Sequence, residues 1–205
     1  MELIRKYFPL LDTTQEGQFR KLTELIPGLN QKVNIISRKD IEHLEERHIL
    51  HSMAIAKIFT FDAGQSVIDI GTGGGFPGIP LAIIFPECEF ILIDSIGKKI
   101  GMVKEISSTL GLKNVKALHQ RAETFGRKVD FVVSRAVTAF PRLHEWTQPL
   151  IKASGGKQKS GLIALKGGDL ETELGPFRQR VQLFPISEHF EESFFSTKTI
   201  VYLKK

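Results

Sequence analysis

The residues best suited to chemistry lie in one run, Asp69-Ile-Gly-Thr-Gly-Gly-Gly-Phe-Pro-Gly78. It follows a short apolar stretch, Val67 to Ile70, and leads into an apolar segment in which Pro80 suits a first helical turn. Glycine permits the tight turn and lets a ligand approach the backbone. At the carboxyl end of a parallel strand, such a turn faces the crevice where open α/β sheets bind ligands. A dinucleotide needs Gly-x-Gly-x-x-Gly, with its pyrophosphate on the helix N-terminus. Here the third glycine position is Phe76, whereas Asp-x-Gly-x-Gly-x-Gly is complete at Asp69, Gly71, Gly73 and Gly75. A carboxylate before the first glycine suits a ligand carrying an ammonium and a sulfonium, and is unhelpful beside two phosphates. Asp94 closes the next apolar run, at roughly the twenty-residue separation where an acid accepts ribose hydroxyls. A cap for the following helix is the alternative role for Asp94.

The acidic glycine pattern resembles the first motif of S-adenosylmethionine methyltransferases. Ala122-Glu123, just after a third apolar run, falls where such enzymes contact the adenine. The acceptor is narrowed by what is missing. Methylation of a pyrimidine carbon needs a nucleophilic thiol, and Cys88 opens an apolar run as an ordinary core thiol would. The Asn/Asp-Pro-Pro-aromatic motif of exocyclic amino methylation is replaced by Ser134-Arg135-Ala136-Val137. The planar cation of Arg135 suits a carboxylate, a phosphate or a purine O6/N7 edge. Guanine N7 has an in-plane lone pair and no proton, so a site for it needs positioning and electrostatics and no dedicated base. No set of residues has metal-ligand spacing.

These residues need a scaffold that alternates strand and helix. From Ser66 the sequence supplies it, with strands predicted at Val67–Ile70, Glu89–Asp94, Val115–His119, Val129–Ser134 and Leu162–Lys166. Helices are expected at Lys98–Leu110 and near Leu143–Ile151. Two late strands, Val181–Ile186 and Thr199–Leu203, leave no room for a crossover and should pair antiparallel. The expectation is an α/β, Rossmann-like fold: a mostly parallel seven-stranded sheet with one antiparallel strand. Residues 1–60 read as a helical extension and residues 61–205 as the core, together one compact unit. Thr13 with Glu16 forms a capping-box pattern, followed by Phe19, Leu22, Ile26 and Leu29 at helical spacing. Pro27-Gly28 should end that helix, and a second begins after Ser37, carrying Ile41, Leu44, His48, Ile55 and Phe59. Gly101 weakens its predicted helix by about 1 kcal/mol against alanine. The Gly155–Gly161 stretch is expected to be a mobile loop.

Lys and Arg number 28 against 23 Asp and Glu, a net charge of +5 that favours an anionic partner such as nucleic acid. One cysteine excludes an internal disulfide and fits a reducing compartment. With no bilayer-length apolar stretch and no signal-peptide block, a cytoplasmic chain away from membranes is expected, and a monomer.

The run Gly71-Thr-Gly-Gly-Gly-Phe-Pro-Gly-Ile-Pro-Leu-Ala82, with Leu92–Ser95, Ser134–Ala136 and Ala164–Gly167, resembles the bacterial 16S ribosomal RNA guanine-N7 methyltransferases, long called glucose-inhibited division protein B. Upstream, Asn34–Arg38 and Glu46–Leu50 resemble the helical N-terminal part of that family. The resemblance implies S-adenosylmethionine as cofactor, with contacts at Gly71, Phe76, Ala122, Glu123 and Arg135, and Asp94 near the ribose. It implies 16S ribosomal RNA as partner, within a small-subunit particle or its precursor. Arg135, His48 and Lys166 become candidates for positioning the acceptor, and Arg38 and Lys166 for contacting RNA. A structural histidine at 48, a surface arginine at 38 and a solvated lysine at 166 are the plainer alternatives. His51 stands where family members often carry Asp. Basic residues, among them Arg5, Lys6, Arg20, Lys21, Lys32, Lys39, Lys152, Lys157 and Lys159, form either a phosphate-tracking surface or a solvated face. A small-molecule methyltransferase, an NAD-linked oxidoreductase and a non-catalytic RNA-binding protein remain the competing readings.

Overall fold

The computed structural model describes residues 1–33, 35–37, 39–153 and 160–205. Seven strands form one sheet: β1 (Ser66–Ile70), β2 (Glu89–Asp94), β3 (Val115–His119), β4 (Phe131–Arg135), β5 (Gly161–Gly167), β6 (Val181–Pro185) and β7 (Lys198–Lys204). Their order is β3-β2-β1-β4-β5-β7-β6, with β7 antiparallel to both β5 and β6 and every other pair parallel. The expected fold class is therefore the observed one. The central strands are near-continuous apolar runs because helices cover both faces; all five residues of β1 are buried. The chain order reverses between β1 and β4, and the crevice at such a switch point is where a ligand sits.

The N-terminal helices are α1 (Glu2–Tyr7), α2 (Thr13–Lys32), α3 (His51–Met53) and α4 (Ile55–Ile58). Between strands lie α5 (Gly78–Ile84), α6 (Gly97–Thr109), α7 (Phe140–Thr147) and α8 (Glu171–Leu174). One apolar cluster joins Ile4, Phe19 and Ile26 of the N-terminal helices to Val67, Phe90 and Phe131 of the sheet. The opposite face packs Ile68, Ile70 and Val132 against Phe140 and Leu143 of α7. No described helix is long and apolar enough to cross a membrane.

Two local expectations need correction. The capping box of α2 is Asp12 with Gln15, one residue before the Thr13–Glu16 pair: the Gln15 N–H donates to Asp12 at 2.8 Å and the Gln15 side chain accepts from the Asp12 N–H at 3.1 Å. Glu16 instead holds Arg5 through two hydrogen bonds, at 2.9 and 2.7 Å. Pro27 does not end α2, which continues to Lys32. An internal proline costs about 3 kcal/mol, but Phe19, Leu22, Ile26 and Leu29 are all buried on one face and outweigh it.

The second helical region is present but built from short pieces of different winding. A 3₁₀ turn at Ile41–His43 is followed by a π-helical turn at Glu45–Leu50 and then by the short α3 and α4. Wider π winding is rare and recurs at functional sites. Here it carries Arg47 and His48, which with His51 border one cavity. Most of the Gly155–Gly161 stretch lies outside the described residues.

Candidate active site

β1 ends in the glycine loop, in which Gly71, Gly73 and Gly75 have φ of +66°, +57° and +91°. The Thr72 N–H donates to the Ile93 carbonyl at 3.0 Å, and the Gly73 N–H donates to Asp94 Oδ2 at 3.0 Å. The loop is thereby tied to the end of β2. Asp69 is fully buried beneath it, accepting from Thr72 Oγ1 at 2.6 Å and from the Gly78 N–H at 2.9 Å on one oxygen. A Cβ on Gly78 would lie 2.9 Å from that oxygen and 2.7 Å from Leu92 Cγ. Close packing of helix on strand therefore falls to Gly78, two residues beyond bulky Phe76. Asp69 borders neither of the two cavities that adjoin the loop and braces the loop from within. Burial pushes its carboxyl up to about 7, against the hydrogen bonds from Thr72 and Gly78.

Two cavities adjoin at this loop. The first, about 360 Å³, is bordered by Gly71, Asp94, Ile96, Ala122, Glu123 and Trp146. Asp94 takes two backbone donors, Ile96 N–H at 2.8 Å as well as Gly73 N–H, so it turns the chain toward α6 while holding the loop. The guanidinium of Arg142 lies 5.0 Å from the Trp146 ring. The second cavity, about 670 Å³, lies between the π turn and the ends of β4 and β5. Gly73, Phe76, His48, His51, Lys166 and Phe194 are on its wall. Gly71, Lys99, Arg135 and Ala136 border both cavities. Gly75 borders neither; its positive φ and the Ile79 side chain beside it make it a turn residue.

Arg135 stands at the junction. Its Nη2 donates to His48 Nδ1 at 2.9 Å, its Nη1 to the Arg47 carbonyl at 3.2 Å, and its guanidinium carbon lies 5.2 Å from the Phe76 ring. Burial lowers it to about 10, with Asp69 and Asp40 opposing, so it stays cationic at neutral pH. Burial, then the charge of Arg135, drives His48 down to about 3 and keeps it neutral. His51 is buried, with its ring edge-on to Phe194 and Phe195, and burial holds it well below the usual histidine range. The next residue after Arg135, Ala136, has φ +53°, a left-handed conformation costing a non-glycine residue about 1 kcal/mol.

Lys166 is placed on the cavity wall, but not as a free cation. Its Nζ donates to the Thr138 carbonyl at 2.7 Å and pairs with Glu173, which also accepts from the Phe140 N–H. Arg38 lies outside the described residues. Three cavity residues escaped sequence reasoning. Arg47, 2.9 Å from Asp40, and Lys198 lie 5.6 and 4.7 Å from the ring of Phe194. Arg47 adjoins His48 in a stretch already singled out. Lys198 and Phe194 gave no local signal, because only the antiparallel pairing of Lys198 with Gly167 brings them to this end of the sheet.

The model of the family described as rRNA small subunit methyltransferase G matches residues 15–199. The chain belongs to that family. A relative from Christiangramia forsetii, named ribosomal RNA small subunit methyltransferase G, is 50% identical over 99% of this chain and 96% of its own. One of the same name from Flavobacterium johnsoniae is 52% identical over 99% and 97%. Among solved structures, a SAM-dependent methyltransferase from Aquifex aeolicus superposes with a TM-score of 0.57 at 18% identity, over 82% of this chain and 98% of that one. A SAM-dependent O-methyltransferase from Thermotoga maritima gives 0.59 at 14% identity, over 81% and 69%. At those identities the likeness is one of fold. The methyltransferase G family thus has, in this chain, a helical layer carrying a π turn that closes one side of the second cavity.

Proposed function

We propose that this chain is a methyltransferase that transfers the methyl group of S-adenosylmethionine to N7 of a guanine in 16S, small-subunit ribosomal RNA. The observation carrying this reading is the pair of cavities that meet at Gly71 and Arg135. One has the makings of a nucleoside site, and the other is bordered by Arg47, Arg135, Lys166 and Lys198. Full-length relatives near 50% identity carry the matching name.

The residues present fit the cofactor. A Cβ on Gly71 would lie 2.5 Å from a methyl of Val137, so only glycine leaves the backbone open at the junction. Asp94 offers carboxylate lone pairs to a ribose beside Ala122 and Glu123, which flank the adenine position. Bound there, S-adenosylmethionine supplies a methyl group on a cationic sulfur. Gly71, Gly73 and Gly75 shape the loop, and Phe76 supports the Arg135 guanidinium over its ring.

Methyl transfer moves positive charge from sulfur to the purine, so the total charge in the site stays constant and orientation is the main task. Guanine N7 carries no proton, which suits a site whose two histidines are held neutral and whose lysine is already paired. Arg135, His48 and Lys166 act as positioning groups, with Lys166 and Arg38 on the RNA side. The reading extends to a monomer in the cytoplasm that acts on a small-subunit particle or its precursor. The five cations that border the second cavity, Arg47, Lys99, Arg135, Lys166 and Lys198, favour a polyanionic acceptor over an uncharged small molecule.

The test is transfer from labelled S-adenosylmethionine to small-subunit particles, followed by nucleoside analysis. Label in 7-methylguanosine is expected. Label in any other nucleoside, or none at all with cofactor binding intact, would overturn the reading.

A further inference from the structure

Two histidines on the wall of the second cavity have fixed and opposite hydrogen-bonding characters. His48 Nδ1 accepts a hydrogen from Arg135 Nη2 at 2.9 Å. Arginine donates only, so Nδ1 is the bare nitrogen and the proton of the neutral ring sits on Nε2. His48 therefore presents a donor. His51, one turn further on, has the opposite surroundings: the Arg47 backbone beside it favours a ring N–H, and the Arg47 carbonyl also accepts from Arg135 Nη1. Its Nε2 is then the bare nitrogen, and it is buried with no partner among the described residues. Only 6% of His51 is exposed, yet the residue borders the cavity. A buried acceptor without a donor costs about 1–3 kcal/mol, a cost that an incoming donor would cancel.

We propose that His48 and His51 together read the base edge of the substrate, with His48 Nε2–H donating to guanine O6 and His51 Nε2 accepting from the adjacent ring N1–H or amino group. The pairing rests on the proposed guanine-N7 function and goes beyond it by naming what selects guanine. Guanine presents an acceptor followed by donors along that edge. Adenine presents a donor followed by an acceptor, the reverse order, which would leave both histidines opposed by like groups. Specificity built this way is strong, because the wrong base strands buried polar groups. Arg135 is the device that sets it, since one guanidinium fixes the tautomer of His48 directly and shares the carbonyl that orients His51.

The test compares H51L and H51Q with the unaltered chain at saturating S-adenosylmethionine, measuring kcat and KM for small-subunit particles and locating the label. Label from the unaltered chain outside 7-methylguanosine would overturn the proposed function and this pairing with it. With label in 7-methylguanosine, H51L is expected to lower kcat/KM by about 10- to 100-fold. H51Q, whose amide oxygen can stand where Nε2 stood, is expected to recover most of that loss, with cofactor affinity by calorimetry unchanged in both. No loss in H51L, or equal loss in both variants, overturns the pairing while leaving the function in place. A second measurement needs no variant: guanosine 5′-monophosphate should compete with particles at least several-fold better than 2-aminopurine riboside 5′-monophosphate, which lacks O6 and the N1 proton. Equal competition overturns the pairing.

Discussion

At the scale of single residues, the site is organised by one arginine and one aspartate that work from below the surface. R135K would keep the charge and lose the planar fork that holds His48 and the Arg47 carbonyl together. The expected result is a drop in kcat/KM of about 10-fold or more with cofactor affinity little changed, since lost alignment acts on the transfer step. Burial also gives opposite pH signatures to the acid and the histidines. His48 and His51 have folded pKa values below their unfolded ones, so their stabilising contribution is present above about 6.5 and is lost as pH falls, for His48 through about 3. Asp69 is raised to about 7, so its contribution is complete below about 4 and is lost as pH rises through 7. Denaturant unfolding across that range should show both trends, and D69N should remove the decline between pH 4 and 7. If D69N leaves that slope unchanged, Asp69 is ionised in the folded state.

At the scale of elements, two glycines make opposed expectations. Gly101 lies within α6, exposed, with open space where a Cβ would go. G101A should stabilise the chain by about 1 kcal/mol in thermal or denaturant unfolding. G78A should destabilise it by about 1–3 kcal/mol, because its methyl would meet Asp69 and Leu92. The strands, the glycine loop and Asp94 were legible in the sequence because apolar runs ending in Gly or Asp carry their meaning locally. The run of α2 through Pro27 was not, since four buried side chains outweigh a local breaker. Nor was the π turn, which leaves the 3.6-residue period without announcing another. Lys198 and Phe194 could be placed only through strand pairing, and the Asp69 role only by seeing both its partners at once. His48 and Arg135 were marked from opposite ends of the sequence, but the bond that makes them one unit spans 87 positions.

At the scale of the whole molecule, the +5 charge and the five cations at the second cavity make the proposed RNA binding an electrostatic quantity. If about four phosphates are neutralised, affinity for small-subunit RNA should fall about 100-fold between roughly 50 and 200 mM salt. Filter binding across that range would show it, and a flat profile would return the basic residues to the role of a solvated face. The sheet order turns back at β1 and β4, which keeps both cavities at the carboxyl ends of those strands. Trp146, with Arg142 beside it, is the one tryptophan in the chain and borders the cavity that contains Asp94. Excited at the red edge of its absorption, the native protein therefore emits from a single indole that borders the cavity proposed to hold the nucleoside. Its emission should shift and saturate as S-adenosylmethionine is added, giving a label-free optical titration of that one cavity.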